Sequence, residues 1–356
     1  MNSIRIARRE VGPGQPAYIV AEMSANHLGD LDRAKAILRA AKEAGADAVK
    51  LQTYTPDGMT LDCDKPFFRI EGTVWHGRTL HELYGEAQTP WEWHAPLQRI
   101  ARDLGIQLFS TPFDARAVAF LQELDFPVLK IASFECVDIP LLRFAAATGK
   151  PLIVSTGMAT LSEIAEAVSA VREAGGRELA LLKCVSAYPA PAEAMNLRTI
   201  PDLAQRFGTV VGLSDHTLGV SVAVAAVTLG ASIIEKHLTL ARADGGPDGS
   251  FSLEPDEFRA MVEAIRTVEA ALGEIRYGES DAEQESRALR RSLFAVKDVP
   301  AGATLNEENV RAIRPGHGLH PRHLADVLGR RARVAIERGT PLSWDLVERA
   351  PGSDAD

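Results

Sequence analysis

The chain has little cysteine. Cys63, Cys136 and Cys184 lie far apart with no CxxC spacing. That excludes a disulfide framework or a cysteine-caged zinc, and implies reduced thiols in a cytoplasmic protein. There is no apolar run long enough to span a membrane, and the N-terminus, MNSIRIARRE, has no signal-peptide core. A basic excess is also missing. The 39 Lys and Arg against 48 Asp and Glu give a formal net charge of -9, which argues against a nucleic-acid partner. An anionic substrate stays open, because local lysines can override the global sign. No GxGxxG follows the first apolar run, so the fingerprint of a doubly wound dinucleotide-binding sheet is absent.

What is present suits a globular enzyme. The 356 residues are 46% hydrophobic and 24% charged, with room for a barrel-sized domain and a small one. The stretch from Val210 to Leu240 organises the rest. Val210–Leu213 runs into Ser214, Asp215 and His216, and Ile233-Ile234 runs into Glu235, Lys236 and His237. Between them, Val220–Leu229 is apolar almost throughout and closes at Gly230, so the unit reads as strand, helix, strand. Two parallel strands bring His216 and His237 to neighbouring strand ends. Alternation puts Glu235 and His237 on one face. Two imidazoles near Glu235 and Asp215 suit a divalent metal; the plainer alternative is a pair of hydrogen-bonded histidines at the sheet rim.

The same pattern recurs along the chain. Strands are expected at Tyr18–Met23, Ala46–Leu51, Ile106–Phe109, Phe126–Ile131, Leu152–Val154 and Leu179–Leu182. With the opening pair they make eight, with helical patterns between most of them. Gly45, Gly105, Gly175 and Gly230 stand where each helix turns back. Asp30 is placed to cap the first helix and Pro255 to open the last, which runs to about Leu272. Eight βα units in residues 1–277 imply a (β/α)8 TIM barrel, whose active sites lie at the C-terminal strand ends. Residues 53–94 interrupt the pattern with a long insert carrying Phe67, Phe68, Trp75, Tyr84, Trp91 and Trp93, a density above the 6% average. A connection this long is usually functional. A polar linker covers 278–291. Residues 292–349 change style to short β-rich pieces, SLFAVKDV and RARVAIERG, between Pro- and Gly-rich turns. They form a second domain too small for much core of its own. A disordered tail is expected at 350–356.

Lys50, Lys130, Lys183 and Lys236 fall near strand ends. A single buried lysine would suggest a Schiff-base aldolase. Several, with Ser133, Ser155, Ser186 and Ser214, suggest a cradle for phosphate and carboxylate, allowing for one or two lysines that only snorkel to the rim. A sugar-binding module without catalysis is the third class. The histidine pair with Glu235 favours the metal-dependent enzyme, since a Schiff base has no use for a metal.

AEMSANH, AVKLQTY, STPFD, KIAS, STGMAT, KCVSAYP, GLSDHT, EKHLT and GGPD, in that order, resemble the sialic acid synthase family of phosphoenolpyruvate-dependent nonulosonate synthases. RRSLFAVKDVPAGATL and AIRPGHGL resemble that family's C-terminal antifreeze-like (SAF) domain. The insert, TLDC to TPWEWH, resembles the pseudaminate branch, although His76, His81 and Val185 stand where Asp, Tyr and Thr are expected. The resemblance implies condensation of phosphoenolpyruvate with an open-chain amino sugar and water, releasing phosphate. For the pseudaminate branch the sugar is 2,4-diacetamido-2,4,6-trideoxy-L-altrose; N-acetylneuraminate or legionaminate synthesis is the alternative. It implies that Lys50, Thr111, Lys130, Ser133, Ser155, Ser186 and Ser214 hold phosphoenolpyruvate. By the same resemblance Gln52, Tyr188 and Arg314 are expected to bind the sugar, Glu22, Glu235 and Asp248 to be the catalytic carboxylates, with Glu235 the base for the attacking water, and His216 and His237 to hold the metal, Mn²⁺ before Mg²⁺ or Co²⁺. It further implies a homodimer in which the second domain caps the partner's barrel.

Overall fold

The structure, a computed structural model, describes residues 3–348. The expected tail at 350–356, and residue 349 of the expected second domain, lie outside the described residues. The chain divides into two compact units, with the division after Gly273.

The first unit opens on an antiparallel hairpin that the sequence pattern did not announce, β1 (Ile4–Ile6) and β2 (Arg9–Val11). Eight parallel strands follow. They are β3 (Tyr18–Glu22), β4 (Ala48–Thr53), β5 (Gln107–Pro112), β6 (Leu129–Ile131), β7 (Leu152–Ser155), β8 (Leu179–Cys184), β9 (Val210–Asp215) and β10 (Ile233–His237). They close in sequence order, with β10 pairing back onto β3 from Ile233↔Tyr18 to His237↔Glu22. This is the expected TIM barrel. Its strands are apolar runs because the surrounding helices and the packed interior bury both faces.

Local chemistry sets the βα rhythm. The Asp30 carboxylate accepts from the backbone of Asp32 and Arg33 and caps the helix Leu31–Glu43. Gly45, Gly105, Gly175 and Gly230 sit at φ of 89°, 65°, 91° and 93°, left-handed values that let each helix end sharply. Pro255 opens the last helix, Pro255–Leu272, as expected. β6 is shorter than its apolar run: pairing starts at Leu129, because Pro127 has no N–H to give a ladder.

The second unit also departs from expectation. β11 (Ser292–Ala295) and β12 (Val310–Ile313) pair antiparallel. RARVAIERG forms no strand. Its residues make isolated bridges to different partners, Arg331 to Thr304, Ala332 to Val347 and Ile336 to Val299, so no continuous ladder can grow. The unit has its own apolar cluster, including Leu293, Val299, Leu305, Val310, Ile336 and Leu342. The core expected to be small is present as this one compact cluster. The expected linker at 278–291 lies in this unit and contains the turn Asp281–Glu283 and the one-turn helix Gln284–Arg287.

Gly212 shows how tightly the barrel is closed. A Cβ there would lie 2.4 Å from the Ile233 carbonyl oxygen and 2.6 Å from Leu182 Cδ2. The nearer obstacle is the backbone of the adjacent strand, which cannot swing aside. Gly212→Ala should cost about 1–3 kcal/mol, as overpacking does. It should be read as a lower urea midpoint; an unchanged midpoint would mean that β9 and β10 have slack.

Candidate active site

The C-terminal ends of the strands bring opposite charges together on side chains that are shielded from solvent. Glu22 on β3, Lys50 on β4, Lys130 on β6 and Glu235 on β10 are all buried. Lys50 Nζ lies 2.6 Å from Glu22 Oε2 and 3.5 Å from Glu235 Oε1, and Lys130 Nζ lies 3.8 Å from Glu235 Oε1. Hydroxyls complete the box. Lys50 donates to Thr111 Oγ1 at 3.1 Å, Lys130 to Ser155 Oγ at 2.6 Å, and Ser214 Oγ to Glu235 Oε1 at 3.1 Å. Glu235 Oε2 is buried with no hydrogen-bond partner among the described residues.

Burial and pairing push the two carboxyls apart. Burial raises Glu22 most; Lys50 opposes this, Glu235 reinforces it, and the group ends at about 7. Burial also works against an ionised Glu235, but Lys130, Lys50 and His216 together outweigh it and hold its carboxyl below the ordinary range. Burial lowers Lys130, whereas Glu22 and Glu235 overcome burial at Lys50 and raise it. Two carboxyls with different protonation in one cavity can divide acid and base roles.

Beside the box is a hollow. Gly157 N–H donates to Ser133 Oγ at 3.1 Å, and Ser186 Oγ is buried without a partner among the described residues. A Cβ on Gly157 would lie 2.5 Å from Ser186 Oγ and 2.7 Å from Ser133 Oγ. Glycine therefore keeps open the point where two hydroxyls converge. Gly157 was not among the sequence candidates, though it stands in STGMAT directly after β7. Ser24 was also missed: it accepts from Gln52 Nε2 at 2.9 Å, while Gln52 reaches Glu22 Oε1 only at 3.5 Å. Glu135 is a third omission, with a buried, unpartnered Oε2 and a carboxyl raised by burial to about 7.

Two strand-end lysines stay out of the box. Lys183 turns back to the Cys184 carbonyl at 3.1 Å. Lys236 is on the opposite face of β10 from Glu235. It is buried against Asp215 Oδ2 at 2.7 Å and against the Thr217 carbonyl. This corrects the reading of Asp215 as a carboxylate near the histidines, because the ion pair takes it to the other face of β9.

The histidines do come together, with ring centroids 5.4 Å apart. His216 Nδ1 is 2.9 Å from the Val185 carbonyl and 3.8 Å from Cys184 Sγ. His237 Nδ1 is buried with no hydrogen-bond partner among the described residues, 4.0 Å from Asp248 Oδ2. Burial, then the charge of His216, holds His237 well below its ordinary value, so it is a neutral imidazole. The rim reading fits His216 and fails for His237. Asp248 Oδ2 also accepts from Ala25 N–H at 3.3 Å. Among the described residues no three or more His, Cys, Asp and Glu are gathered as a ready cage. A metal here would rest on two imidazoles, with the remaining positions open to substrate and water.

Aromatic rings flank the histidines. Tyr188 is 4.4 Å from His216 and 5.3 Å from Phe251, which is 5.1 Å from His237. From the insert only Trp75 joins them, 5.5 Å from Tyr188. Tyr84 packs on Tyr54, Trp91 on Phe120 and Trp93 on His27, while Phe67 is 88% exposed. A wall built from all six insert aromatics is not what forms. Arg314 follows β12 in the second unit.

Known proteins resemble this chain over nearly its whole length. It is 47% identical to the pseudaminic acid synthase of Helicobacter pylori, over 94% of this chain and 99% of that one. It is 46% identical to the pseudaminic acid synthase of Campylobacter jejuni, over 91% and 95%. The crystal structure of an N-acetylneuraminic acid (sialic acid) synthetase from Leptospira borgpetersenii, in complex with citrate, superposes with a TM-score of 0.72 at 32% identity, covering 80% of this chain and 95% of that one. Residues 37–277 match the NeuB family and residues 290–348 the SAF domain. With the barrel, the strand-end residues and these matches in agreement, the chain belongs to the NeuB family.

Proposed function

We infer that the chain is a pseudaminic acid synthase. It condenses phosphoenolpyruvate with 2,4-diacetamido-2,4,6-trideoxy-L-altrose and water to give pseudaminate and phosphate. The observation that carries the reading is the buried box of Lys50, Lys130, Glu22 and Glu235 beside the Ser133–Gly157–Ser186 hollow. It offers two cations and several hydroxyls to a small polyanion and carboxylates to move protons. The near full-length likeness to pseudaminic acid synthases selects the sugar.

Lys50, Thr111, Lys130, Ser133, Ser155, Ser186 and Ser214 hold the phosphate and carboxylate of phosphoenolpyruvate, and the space over Gly157 admits a phosphate oxygen. Gln52, Tyr188 and Asp248 orient the sugar. The enol π pair forms the new C–C bond to the aldehyde carbon, and the aldehyde oxygen takes a proton. Glu22, near 7, is the carboxyl able to bring one at neutral pH. Cationic character develops at the carbon bearing the phosphate. Water adds there as the free Oε2 of Glu235 takes one of its protons; the resulting hydroxyl then becomes the keto group as the C–O bond to phosphate breaks, and its proton leaves with the phosphate. His216 and His237 would hold a divalent ion, Mn²⁺ before Mg²⁺ or Co²⁺, and the unpartnered His237 nitrogen supports this. When bound, the ion supplies Lewis-acid polarisation of the aldehyde oxygen. At Lys50 a Schiff base is disfavoured, because Glu22 and Glu235 keep that lysine in its charged form.

We place the enzyme in the cytoplasm, where phosphoenolpyruvate is made. Its cysteines are free, and no described helix is long and apolar enough to cross a membrane. We further propose a homodimer in which Arg314 of one chain serves the sugar site of the other.

Phosphate release from phosphoenolpyruvate tests the reaction. The altrose-derived sugar should support it best, with kcat/KM for N-acetylmannosamine lower by roughly tens to a hundredfold. EDTA should abolish release and Mn²⁺ restore it, and His216→Ala and His237→Ala should each lose metal-dependent turnover while staying folded. Full activity in a metal-free sample would remove the metal. A preference for N-acetylmannosamine would move the chain to the neuraminate branch.

Mixing tests the dimer. Arg314→Ala and His237→Ala should each be inactive alone, and together should recover part of the wild-type rate through hybrid sites. No recovery, with subunit exchange demonstrated, would mean that Arg314 serves its own barrel or none.

A further inference from the structure

The insert leaves β4 on the catalytic face, and one of its side chains returns to it. Residues 70–78 form a narrow arm: Ile70 N–H donates to the Arg78 carbonyl at 2.9 Å and Gly77 N–H to the Ile70 carbonyl at 3.0 Å. Trp75 is near the tip. Its backbone N–H donates to Thr73 Oγ1 at 3.2 Å, and its indole N–H donates to the Pro247 carbonyl at 2.8 Å. Pro247 immediately precedes Asp248, the carboxylate beside His237. The indole ring meets Tyr188 at 5.5 Å, and Tyr188 lies 4.4 Å from His216. One side chain thus bridges the Asp248 loop and the Tyr188 ring along the flank of the histidine pair. The ring is only partly buried, so part of it stays uncovered.

We propose that Trp75 is a specificity-determining residue: its ring is the apolar wall against which the C6 methyl of the acceptor sugar packs. The role rests on the synthase reading, in which the sugar lies at His216 and His237. The chemistry follows from what the indole can offer. Its single donor is already committed to Pro247, and it has no acceptor. A methyl group meets the ring without loss, whereas a hydroxyl at that carbon finds no partner there. Of the other insert aromatics, Tyr84, Trp91 and Trp93 pack elsewhere and Phe67 faces solvent, so none of these four can substitute.

The test compares two acceptors that differ only at C6, the 6-deoxy sugar and its 6-hydroxy counterpart, in wild type, Trp75→Ala, Trp75→Phe and Trp75→Gln. The deoxy-to-hydroxy ratio of kcat/KM should fall at least about tenfold in Trp75→Ala, within the range an apolar pocket commands over an added hydroxyl. KM for phosphoenolpyruvate should stay unchanged. Trp75→Phe, which keeps a ring, should retain most of the ratio. Trp75→Gln should raise kcat/KM for the hydroxylated sugar above wild type, a gain that a damaged fold cannot produce. Parallel losses with both sugars, or no gain in Trp75→Gln, would overturn the role. Wild-type preference for the hydroxylated sugar would refute the pseudaminate assignment, and an unmoved ratio in Trp75→Gln would then remove Trp75 as well. Turnover of neither sugar would refute the synthase reading and the role that rests on it.

Discussion

The ion cluster joining Glu22, Lys50, Glu235 and Lys130 is the constraint on which the site depends. Each buried ion costs several kcal/mol in lost hydration, and attraction offsets this only when geometry and hydrogen bonding are good. Here the carboxyls of Glu22 and Glu235 face the ammonium groups of Lys50 and Lys130, so each buried charge has an opposite partner within reach. Removing Glu235 or either lysine takes away a partner on which the other charges depend. The fold can carry this because all four side chains come from strands whose relative positions are set by backbone ladders, such as Glu22↔Lys50 and His237↔Glu22. Rigidity and reactivity share one source: the groups that most need fixing are attached to the part of the chain least able to move.

Much of this arrangement was legible in the residues. Apolar runs ending in Lys, Ser, Glu or His at intervals set by helix-stopping glycines describe a barrel with a polar mouth, and the structure has that form. Parity was legible too, though it needed stricter use. If Glu235 and His237 share a face of β10, then Lys236 must take the other, where Asp215 meets it. The part that could not be read depends on contacts between distant segments. Gly157 matters because Ser133 and Ser186 converge over it from the ends of two other strands. The second unit's core draws single residues from many short pieces, and RARVAIERG looks strand-like while bridging to scattered partners. The insert has no periodicity to read, so its aromatics were indistinguishable until ring contacts put Trp75 against Tyr188 and set Tyr84, Trp91 and Trp93 elsewhere.

The histidine pair shows how an unsatisfied group carries information. Buried polar atoms in folded proteins are nearly always paired, so an exception calls for a reason. His216 spends Nδ1 on the Val185 carbonyl, which fixes its ring and leaves Nε2 available. His237 spends nothing at Nδ1, and Glu235 Oε2 and Ser186 Oγ are likewise unspent. These three orphans all belong to the strand-end region, at the histidines, the carboxylate box and the serine hollow. A barrel that satisfied them internally would be more stable, and would have nothing left to offer a phosphate, a water or a metal.

Specificity and chemistry are then separable by the kind of chain that supplies them. The carboxyls and lysines of the box, Glu22, Glu235, Lys50 and Lys130, stand on strands, and no loop change can move them far. Trp75 stands on an arm of the insert, anchored by one hydrogen bond to Pro247 and one ring contact to Tyr188. Replacing that side chain alters what the acceptor touches at its far carbon without disturbing Glu22, Lys50, Lys130 or Glu235. One rigid barrel can therefore run the same condensation on different amino sugars by changing a residue that takes no part in bond making.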